Sequence, residues 1–310
     1  MSPVAVFVYN RLDNTCQTFA ALMANTLAAE TDVYVFSDGG KDEQSWQAVN
    51  TVRQYLHELE AKHPFKSLTL VERPENIYLE RNIIEGIAYV FERHDTIIVL
   101  EDDIVTSPYY LQYMNDAFRQ YRDERRVMHV AGFTNLDLKR EKSELKQTDF
   151  YFTPHMSGWG WGTWRDRWQQ YFHHYETEEE AFEGMTEQDK DAMQYGGVFP
   201  CLKSLKKRPI PWDICWEMAI YKAGGLCLTP AHTMVRNIGL HSGTHFRAYS
   251  LLQRFEFDRE PQQQPLQLVR RTPEKDPRIE ALFAEAIRDW GIRYTFLGRI
   301  VRFFYKKLKK

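Results

Sequence analysis

Three consecutive carboxylates follow an apolar run near residue 100. They are Glu101, Asp102 and Asp103. A strand over 96–100 would deliver them to a fixed place, and hard divalent cations prefer such oxygen ligands. An ion held by one or two carboxylates keeps sites free for substrate phosphates and stabilises the charge on a departing diphosphate. The structural alternative fits equally well at this stage, because Asp103 with 104–106 could simply cap a following helix.

A second pair of carboxylates lies beside large indole side chains. Asp213 and Glu217 are four residues apart, which places both on one face of a helix. A carboxylate within reach of a sugar hydroxyl can act as a general base, and neighbouring rings such as that of Trp212 can orient a sugar and raise the pKa of the acid. The competing interpretation has the tryptophans in the core and the acids in solvent, and spacing alone favours it.

The other motifs narrow the chemistry. Small residues alternate with tryptophans over 157–164, which allows close backbone approach beside aromatic walls. His241 and His245 could ligate a metal or donate to phosphate, although a single loop histidine is more often structural or exposed. The sequence contains no G-x-x-x-x-G-K-[ST], H-E-x-x-H or G-x-S-x-G motif, which disfavours kinases, zinc proteases and serine hydrolases.

Alternating strand and helix patterns would position these groups. The sequence predicts strands at 4–9, 32–36, 67–71 and 96–100, and helices at 15–29, 42–62 and 79–92. Asn14 and Gln17 resemble a capping box for the first helix. A parallel sheet of this kind collects the carboxyl ends of its strands at one edge, where open α/β sheets bind ligands. Asp38 and the three acids would then meet at one crevice.

The second half of the chain has a different composition. After a helix at 107–123 and a strand at 127–131, aromatic, glycine and histidine residues accumulate to residue 246 and predict the other wall of the crevice. Residues 260–265 are interpreted as a solvated linker, and a helix is predicted at 277–289. Residues 293–310 contain seven Lys or Arg and no acid, with apolar residues between them. This is typical of a helix on an anionic membrane, although a solvated helix or a partner-binding face would also fit.

Composition excludes several classes of protein. The 310 residues contain 40 basic and 43 acidic side chains, a balance that argues against a body built to bind nucleic acid. The four cysteines form no C-x-x-C pair, so reduced thiols are expected. No apolar run approaches the roughly 20 residues of a membrane span, and the N-terminus lacks the features of a secretory signal. We therefore expect a cytoplasmic protein, with the tail as its possible contact to the inner face of a membrane.

Taken in order, these motifs resemble a GT-A glycosyltransferase, most closely the N-acetylglucosaminyltransferase I-like family and its bacterial relatives. The resemblance covers most of residues 3–246 and is carried by 6–11, 35–39, 81–83, 99–103, 158–161, 212–213 and 237–239. It implies an α/β fold of the GT-A, Rossmann-like type. The expected fold has a mostly parallel sheet flanked by helices, an aromatic-rich acceptor half and a C-terminal basic amphipathic helix.

The resemblance also implies roles for individual residues. Asp103 would ligate Mn²⁺ or Mg²⁺, with His245 as a further candidate ligand. The expected contacts to the nucleotide sugar are Asn10, Arg11, Asp38, Arg81, Glu101 and Asp102, with Asp38 near the nucleobase and Asp102 facing the ribose or sugar. Asp213 matches the acceptor base, and Glu217 ranks second. Trp161 and Trp212 are expected to be walls of the acceptor site.

The function implied is metal-dependent transfer of a sugar, from a UDP-linked donor such as UDP-GlcNAc, to a hydroxyl of a glycan or lipid-linked glycan. Inversion and a role in bacterial surface polysaccharide synthesis are expected. The regions would be a nucleotide-sugar-binding half at 1–131, an acceptor-binding and catalytic half at 132–250, a linker and helical extension at 251–292 and the basic tail at 293–310. The membrane anchor and stem of eukaryotic members are absent from this sequence. A retaining transferase, a sugar nucleotidyltransferase and a non-catalytic glycan-binding module stay open as alternatives.

Overall fold

The computed structural model describes residues 1–136, 138, 144–197, 199, 201–241 and 258–293, and the structural statements below concern these residues. The strands are β1 (Val4–Val8), β2 (Asp32–Ser37), β3 (Ser67–Glu72), β4 (Thr96–Glu101), β5 (Ile104–Thr106), β6 (Val127–Ala131), β7 (Phe150–Thr153), β8 (Trp161–Trp164), β9 (Leu226–Pro230) and β10 (Val235–Asn237). The helices are α1 (Leu12–Met23), α2 (Glu43–Glu60), α3 (Tyr78–Phe91), α4 (Tyr110–Gln120), α5 (Arg165–Tyr171), α6 (Glu178–Ala181), α7 (Glu187–Met193), α8 (Trp212–Lys222) and α9 (Pro277–Arg293).

One eight-stranded sheet forms the centre of the molecule, in the order β3-β2-β1-β4-β8-β6-β9-β7. Strands β1 to β4 are parallel, whereas β8 runs against both β4 and β6, and β7 runs against β9. Six strands therefore share one direction, which confirms the α/β class with a mostly parallel sheet. The sheet continues past residue 131, and β5 pairs with β10 in a separate antiparallel ribbon.

Strand β1 shows that the sheet is buried on both faces. Every residue of β1 is buried, as expected for an apolar run between parallel neighbours. Val4, Val6 and Val8 pack in one core cluster, whereas Ala5 and Phe7 pack in the cluster on the opposite face. In the register, β1 residue Val8 faces Ser37 of β2, and Phe7 faces Glu101 of β4. The carboxyl ends of these three strands therefore finish at one edge.

The predicted start of the first helix is wrong, and the alternative role of Asp103 as a helix cap is excluded. The first helix begins at Leu12 rather than near 15, with Arg11 at its N-cap position and no side-chain cap, so Asn14 and Gln17 form no capping box. The side chain of Arg11 turns instead toward the acids after β4, as described below. Asp103 also caps no helix, because 104–106 forms β5 and pairs with β10.

The predicted solvated linker at 260–265 is exposed at 260 and 263–265, but its residues 261 and 262 are anchored to the body of the protein. Pro261 is buried, and the N–H of Gln262 donates to the carbonyl of Thr233 at 2.9 Å. Leu266 and Leu268 then enter the main core cluster, so apolar burial holds this segment in place. His245 and residues 294–310 lie outside the described residues. Within the described ranges, no helix combines the length and apolarity that spanning a bilayer requires.

Candidate functional site

The acidic loop after β4 is held by its backbone. β4 ends at Glu101, and Asp102 and Asp103 follow at the edge of the sheet. The hydroxyl of Thr18 in α1 donates to the carbonyl of Asp102 at 2.9 Å, and the N–H of Ile238 donates to the carbonyl of Asp103 at 2.9 Å. Two separate elements therefore fix the backbone of the loop, and the side-chain contacts described next orient its carboxylates.

A single guanidinium bridges two of the three acids. Nη1 of Arg11 lies 2.9 Å from Oδ2 of Asp103, and Nε of Arg11 donates to Oδ2 of Asp102 at 3.3 Å. Nη2 of Arg11 also pairs with Asp102, which accepts a further bond from the backbone N–H of Tyr9. Burial works against the charge of Arg11, but the two carboxylates outweigh it and raise its pKa above the usual range. Arg11 therefore stays charged.

The acidic loop carries more negative charge than Arg11 neutralises. Burial, followed by the charges of Asp103 and Asp102, raises the pKa of Glu101 to about 8. Burial raises the pKa of Asp102 to about 6 against the opposing effect of Arg11. Crowded carboxylates with a surplus of negative charge are a donor set that suits a hard divalent cation. The residues present thus fit the expected Mn²⁺ or Mg²⁺.

The protein would supply only part of the coordination of such an ion. Asp103 is the better-placed ligand, because the carboxylate of Asp102 already accepts bonds from Nε and Nη2 of Arg11 and from the N–H of Tyr9, whereas that of Asp103 pairs with Nη1 of Arg11. Among the residues that the structure describes, no three His, Cys, Asp or Glu side chains are grouped to hold a metal ion. An ion at Asp103 would therefore take further ligands from water or from a bound phosphate, as Mg²⁺ commonly does.

Gly239 packs directly against the ion pair of Arg11 and Asp103. A Cβ at position 239 would overlap Oδ2 of Asp103 and lie 3.1 Å from Nη1 of Arg11. The backbone of Gly239 is fixed, because its N–H donates to Oδ1 of Asn237 at 2.8 Å. The motif at 237–239 was recognised in the sequence, whereas the steric reason for glycine there is visible only in the fold.

We expect Gly239→Ala to weaken nucleotide binding by about tenfold or more, because the methyl group displaces the carboxylate of Asp103 and its partner Arg11. Isothermal titration with UDP and Mn²⁺ measures the effect. Gly158→Ala is the matched control, since a Cβ there meets only Trp212 atoms at 3.6 Å. Equal UDP affinity in the two variants would contradict the steric argument.

Asp213 lies in the first turn of α8 and is accessible to water. The surrounding chain raises the pKa of its carboxyl group by desolvation, which the N–H of Ile214 and the charge of Lys207 oppose. Solvent exposure moderates this desolvation. The charge of Asp213 also contributes to raising the pKa of Glu101, so the start of α8 lies near the acidic loop. The structure therefore brings an accessible, more basic carboxylate near the acidic loop.

Glu217 is placed differently, which corrects its ranking as an alternative base. Its side chain is buried, Oε1 lies 2.5 Å from Nδ1 of His155, and Oε2 accepts the N–H of Met156 at 2.7 Å. Both carboxylate oxygens are thus used within the protein, and an acceptor hydroxyl would have to displace these bonds. Glu217 holds the segment at 155–156 against α8.

Asp38 is at the predicted sheet edge but is occupied by its own chain. Its Oδ1 accepts the N–H groups of Gly39 and Ile77, each at 2.9 Å, and its Oδ2 accepts Nδ2 of Asn76 at 2.9 Å. Asp38 therefore fastens the loop before α3 to the end of β2. A contact from this carboxylate to a nucleobase stays a prediction, and it would have to form alongside these bonds.

Two of the residues predicted to contact the nucleotide sugar, Asn10 and Arg81, are at least partly open to solvent. Asn10 is half-buried in the loop between β1 and α1, next to Arg11. Arg81 is exposed on α3, and its Nε lies 2.6 Å from Oε1 of Glu85 one turn along the same helix. This ion pair joins two residues of the same helix. A contact between Arg81 and a nucleotide stays a prediction.

The two expected acceptor walls lie in the core. Trp161 has no exposed surface, and its ring stacks on His129 and Trp212 with centroid distances of 5.2 and 5.0 Å. Trp212 is 4% exposed. Neither ring presents a face to a sugar in this structure, so both assignments are corrected. The indoles are used to pack α8 on the sheet.

The sequence reasoning missed an unusual residue at the start of α3. Tyr78 is 59% exposed and has φ of 64°, a left-handed conformation that costs a non-glycine residue roughly 1–2 kcal/mol. Nζ of Lys41 lies 4.9 Å from the centroid of its ring and 5.9 Å from that of Tyr9. A single exposed tyrosine at the start of a helix forms no recognisable pattern in the sequence. In the structure it is identified by its backbone angle and by the ammonium group of Lys41 over its ring.

Comparisons with known proteins found solved structures that are similar to this chain. No protein-family model matches the sequence. No curated protein matches it either. Similar solved structures include the mannosyltransferase PcManGT from Pyrobaculum calidifontis in complex with GDP-Man and Mn²⁺, at 12% identity over 72% of this chain and 74% of that one, with a TM-score of 0.39.

Two further structures have comparable scores. The structure of S. aureus TarS 1-349 is 12% identical, with 55% of this chain and 49% of that chain covered and a TM-score of 0.37. A UDP-glucose pyrophosphorylase complexed with UDP-glucose is 10% identical, with 74% and 90% covered and a TM-score of 0.38. These likenesses concern the arrangement of the chain and assign no role to any residue.

Proposed function

We propose that this protein is a glycosyltransferase that moves a sugar from a nucleotide donor, UDP-linked by preference, to a hydroxyl of a glycan or lipid-linked glycan. One observation carries the proposal. The accessible carboxylate of Asp213 lies near enough to the clamped acidic loop, with its bridging Arg11, for its charge to raise the pKa of Glu101, and this loop follows β4 at the carboxyl edge of a mostly parallel sheet. Such an edge is where open α/β sheets bind ligands, and the two groups suit the two halves of a transfer reaction.

The donor side is formed by the acidic loop. Asp103 is the residue that would hold Mn²⁺ or Mg²⁺, and Arg11 keeps its carboxylate oriented through the 2.9 Å ion pair. A divalent ion bound there would neutralise the charge that develops on the departing nucleoside diphosphate. Asp102 is held by Tyr9 and Arg11, which leaves its position fixed relative to Asp103.

The acceptor side is formed by Asp213, and direct displacement with inversion is the proposed route. The carboxylate of Asp213 takes the proton of the acceptor hydroxyl, whose oxygen forms a bond to the anomeric carbon. The bond from that carbon to the diphosphate oxygen breaks, and its electron pair leaves with the nucleoside diphosphate. A carboxyl pKa above the usual range makes Asp213 a better proton acceptor.

The proposal also covers the type of donor sugar, the cellular role and the location of the protein. A hexosyl or N-acetylhexosaminyl donor and a role in bacterial surface polysaccharide synthesis follow from the resemblance described above. A peripheral position at the inner face of a membrane rests on the composition of the tail, which lies outside the described residues. A sugar nucleotidyltransferase could use the same sheet edge, and it would be identified by release of pyrophosphate in place of nucleoside diphosphate.

The test is isothermal titration of the full chain with UDP and with GDP, each with and without Mn²⁺. We expect preferential binding of UDP with the metal, weakened about tenfold or more in Asp103→Ala, because the cation links the loop to the diphosphate. Equal UDP affinity with and without Mn²⁺ would contradict the proposed role of the metal ion. Absence of binding to either nucleotide would overturn the proposal as a whole.

A further inference from the structure

The loop that ends at Tyr78 is built to hold its ring at the surface. Asp38 accepts the N–H of Ile77 at 2.9 Å, and Nδ2 of Asn76 donates to Oδ2 of Asp38 and to the carbonyl of Gly39 at 2.9 and 2.7 Å. These bonds fix the two residues that precede Tyr78. The left-handed backbone at Tyr78 is thus imposed by its neighbours, although more than half of this residue stays exposed. Strain kept at an exposed aromatic residue points to a ligand.

Lys41 and Tyr9 lie between the same ring and the acidic loop. The ammonium of Lys41 lies over the rings of both Tyr78 and Tyr9. The backbone N–H of Tyr9 donates to the carboxylate of Asp102. Tyr78 therefore stands at the β2 and β1 side of the acidic loop, and a cation covers part of the gap between them. An anionic ligand with a flat ring would meet both features.

We propose that Tyr78 stacks on the nucleobase of the donor and that Lys41 braces the ring and attracts the adjoining phosphate; this inference rests on the proposed function. The diphosphate would lie at Asp103 and the transferred sugar toward Asp213. The nucleoside then extends to the strand ends that carry Tyr9 and Asp38. Stacking of a base on an aromatic ring tolerates any base, so Tyr78 supplies affinity rather than a preference between UDP and GDP.

The start of α3 also borders the acceptor side, which the test has to separate. The charge of Glu80, two residues after Tyr78, acts on Asp213. A sugar of the acceptor has an apolar face that could also stack on a tyrosine. The nucleobase is favoured because the hydrogen bonds that hold Tyr78 run to the end of β2, and because the cation beside the ring matches a nucleotide better than a neutral sugar.

The experiment uses three variants of the full chain, Tyr78→Phe, Tyr78→Ala and Tyr78→Gly. Isothermal titration with UDP and, separately, with inorganic pyrophosphate is done in the presence of Mn²⁺. We expect UDP affinity to fall about tenfold in the Ala and Gly variants and to stay within about twofold in the Phe variant, because the ring and not the hydroxyl stacks. Pyrophosphate affinity should be the same in all four proteins. The Gly variant should melt no lower than the parent, since glycine accepts φ of 64° without strain.

Three outcomes would overturn the inference. The first is unchanged UDP affinity in Tyr78→Ala. The second is equal loss for UDP and pyrophosphate, which would assign the effect to the phosphate site. The third is a higher KM for the acceptor with unchanged UDP affinity, which would place the acceptor on the ring. If the parent protein binds no nucleotide at all, the proposed function itself fails.

Discussion

Asp213→Asn is expected to lower kcat for sugar transfer by about 10²–10⁴-fold, the contribution of a positioned general base, with the Kd for UDP within about threefold of the parent value. The amide keeps the size of the side chain and can still accept the N–H of Ile214, which Oδ1 of Asp213 accepts at 2.7 Å. It cannot take a proton from the acceptor hydroxyl. Steady-state transfer and UDP titration on the same preparation measure the two quantities.

Glu217→Gln is the matched control on the same helix. Its amide oxygen can still accept the N–H of Met156, but the charge opposite His155 is lost in a buried place. We therefore expect a less stable protein whose kcat stays within about tenfold of the parent. Loss of transfer in Glu217→Gln with retention in Asp213→Asn would reverse the assignment of the base.

The pH profile adds a readout that a purely structural role would not change. Desolvation raises the pKa of Asp213, Glu217 and Glu80 add to the effect, and Lys207 opposes it. Because the base works when deprotonated, kcat/KM should fall as the pH decreases through a pKa above the ordinary range of aspartate. In Asp213→Asn this acidic limb should disappear from the residual activity. An unchanged limb would assign it to another group.

The parts of the fold that could be predicted from the sequence are those set by residues close together in the chain. The strands at 67–71 and 127–131 are found as Ser67–Glu72 and Val127–Ala131, because alternating residues mark the half-buried first strand and a short apolar run marks the fully buried second one. The convergence of strand ends also follows from alternating strands and helices alone. The start of α1 could not be predicted in this way, since Arg11 at its N-cap position is paired with acids about ninety residues away.

The site was predictable only in part for the same reason. The acids after β4 are fixed by a strand that the sequence reveals. Glu217 and Trp161 looked like ligand contacts because acids beside indoles suit a sugar site as well as a core. Their true surroundings depend on His155, which is 62 residues from Glu217, and on the stack of Trp161 with His129 and Trp212. Composition does not distinguish a ring that stacks on a sugar from a ring that stacks on another side chain.

Trp161→Ala is expected to lower the free energy of unfolding by about 3–5 kcal/mol, the cost of removing a large buried ring. Trp161 is fully buried in β8, between β4 and β6, and its ring contacts both His129 and Trp212. Urea unfolding followed by circular dichroism measures the change. Trp161→Phe should lower the free energy of unfolding by a smaller amount, because a ring remains in the stack. This variant also removes the buried indole N–H, which has no hydrogen-bond partner in the structure.

These tryptophan variants also separate packing from acceptor binding. Trp212 immediately precedes Asp213, so the stack sets the position of the base through the first turn of α8. Under conditions where Trp161→Phe is fully folded, we expect kcat to fall more than the KM for the acceptor rises. A parent-like stability together with a raised acceptor KM would restore Trp161 as a wall of the acceptor site. No surface of the Trp161 ring is open to a sugar, so in this fold the ring affects the reaction only by positioning α8.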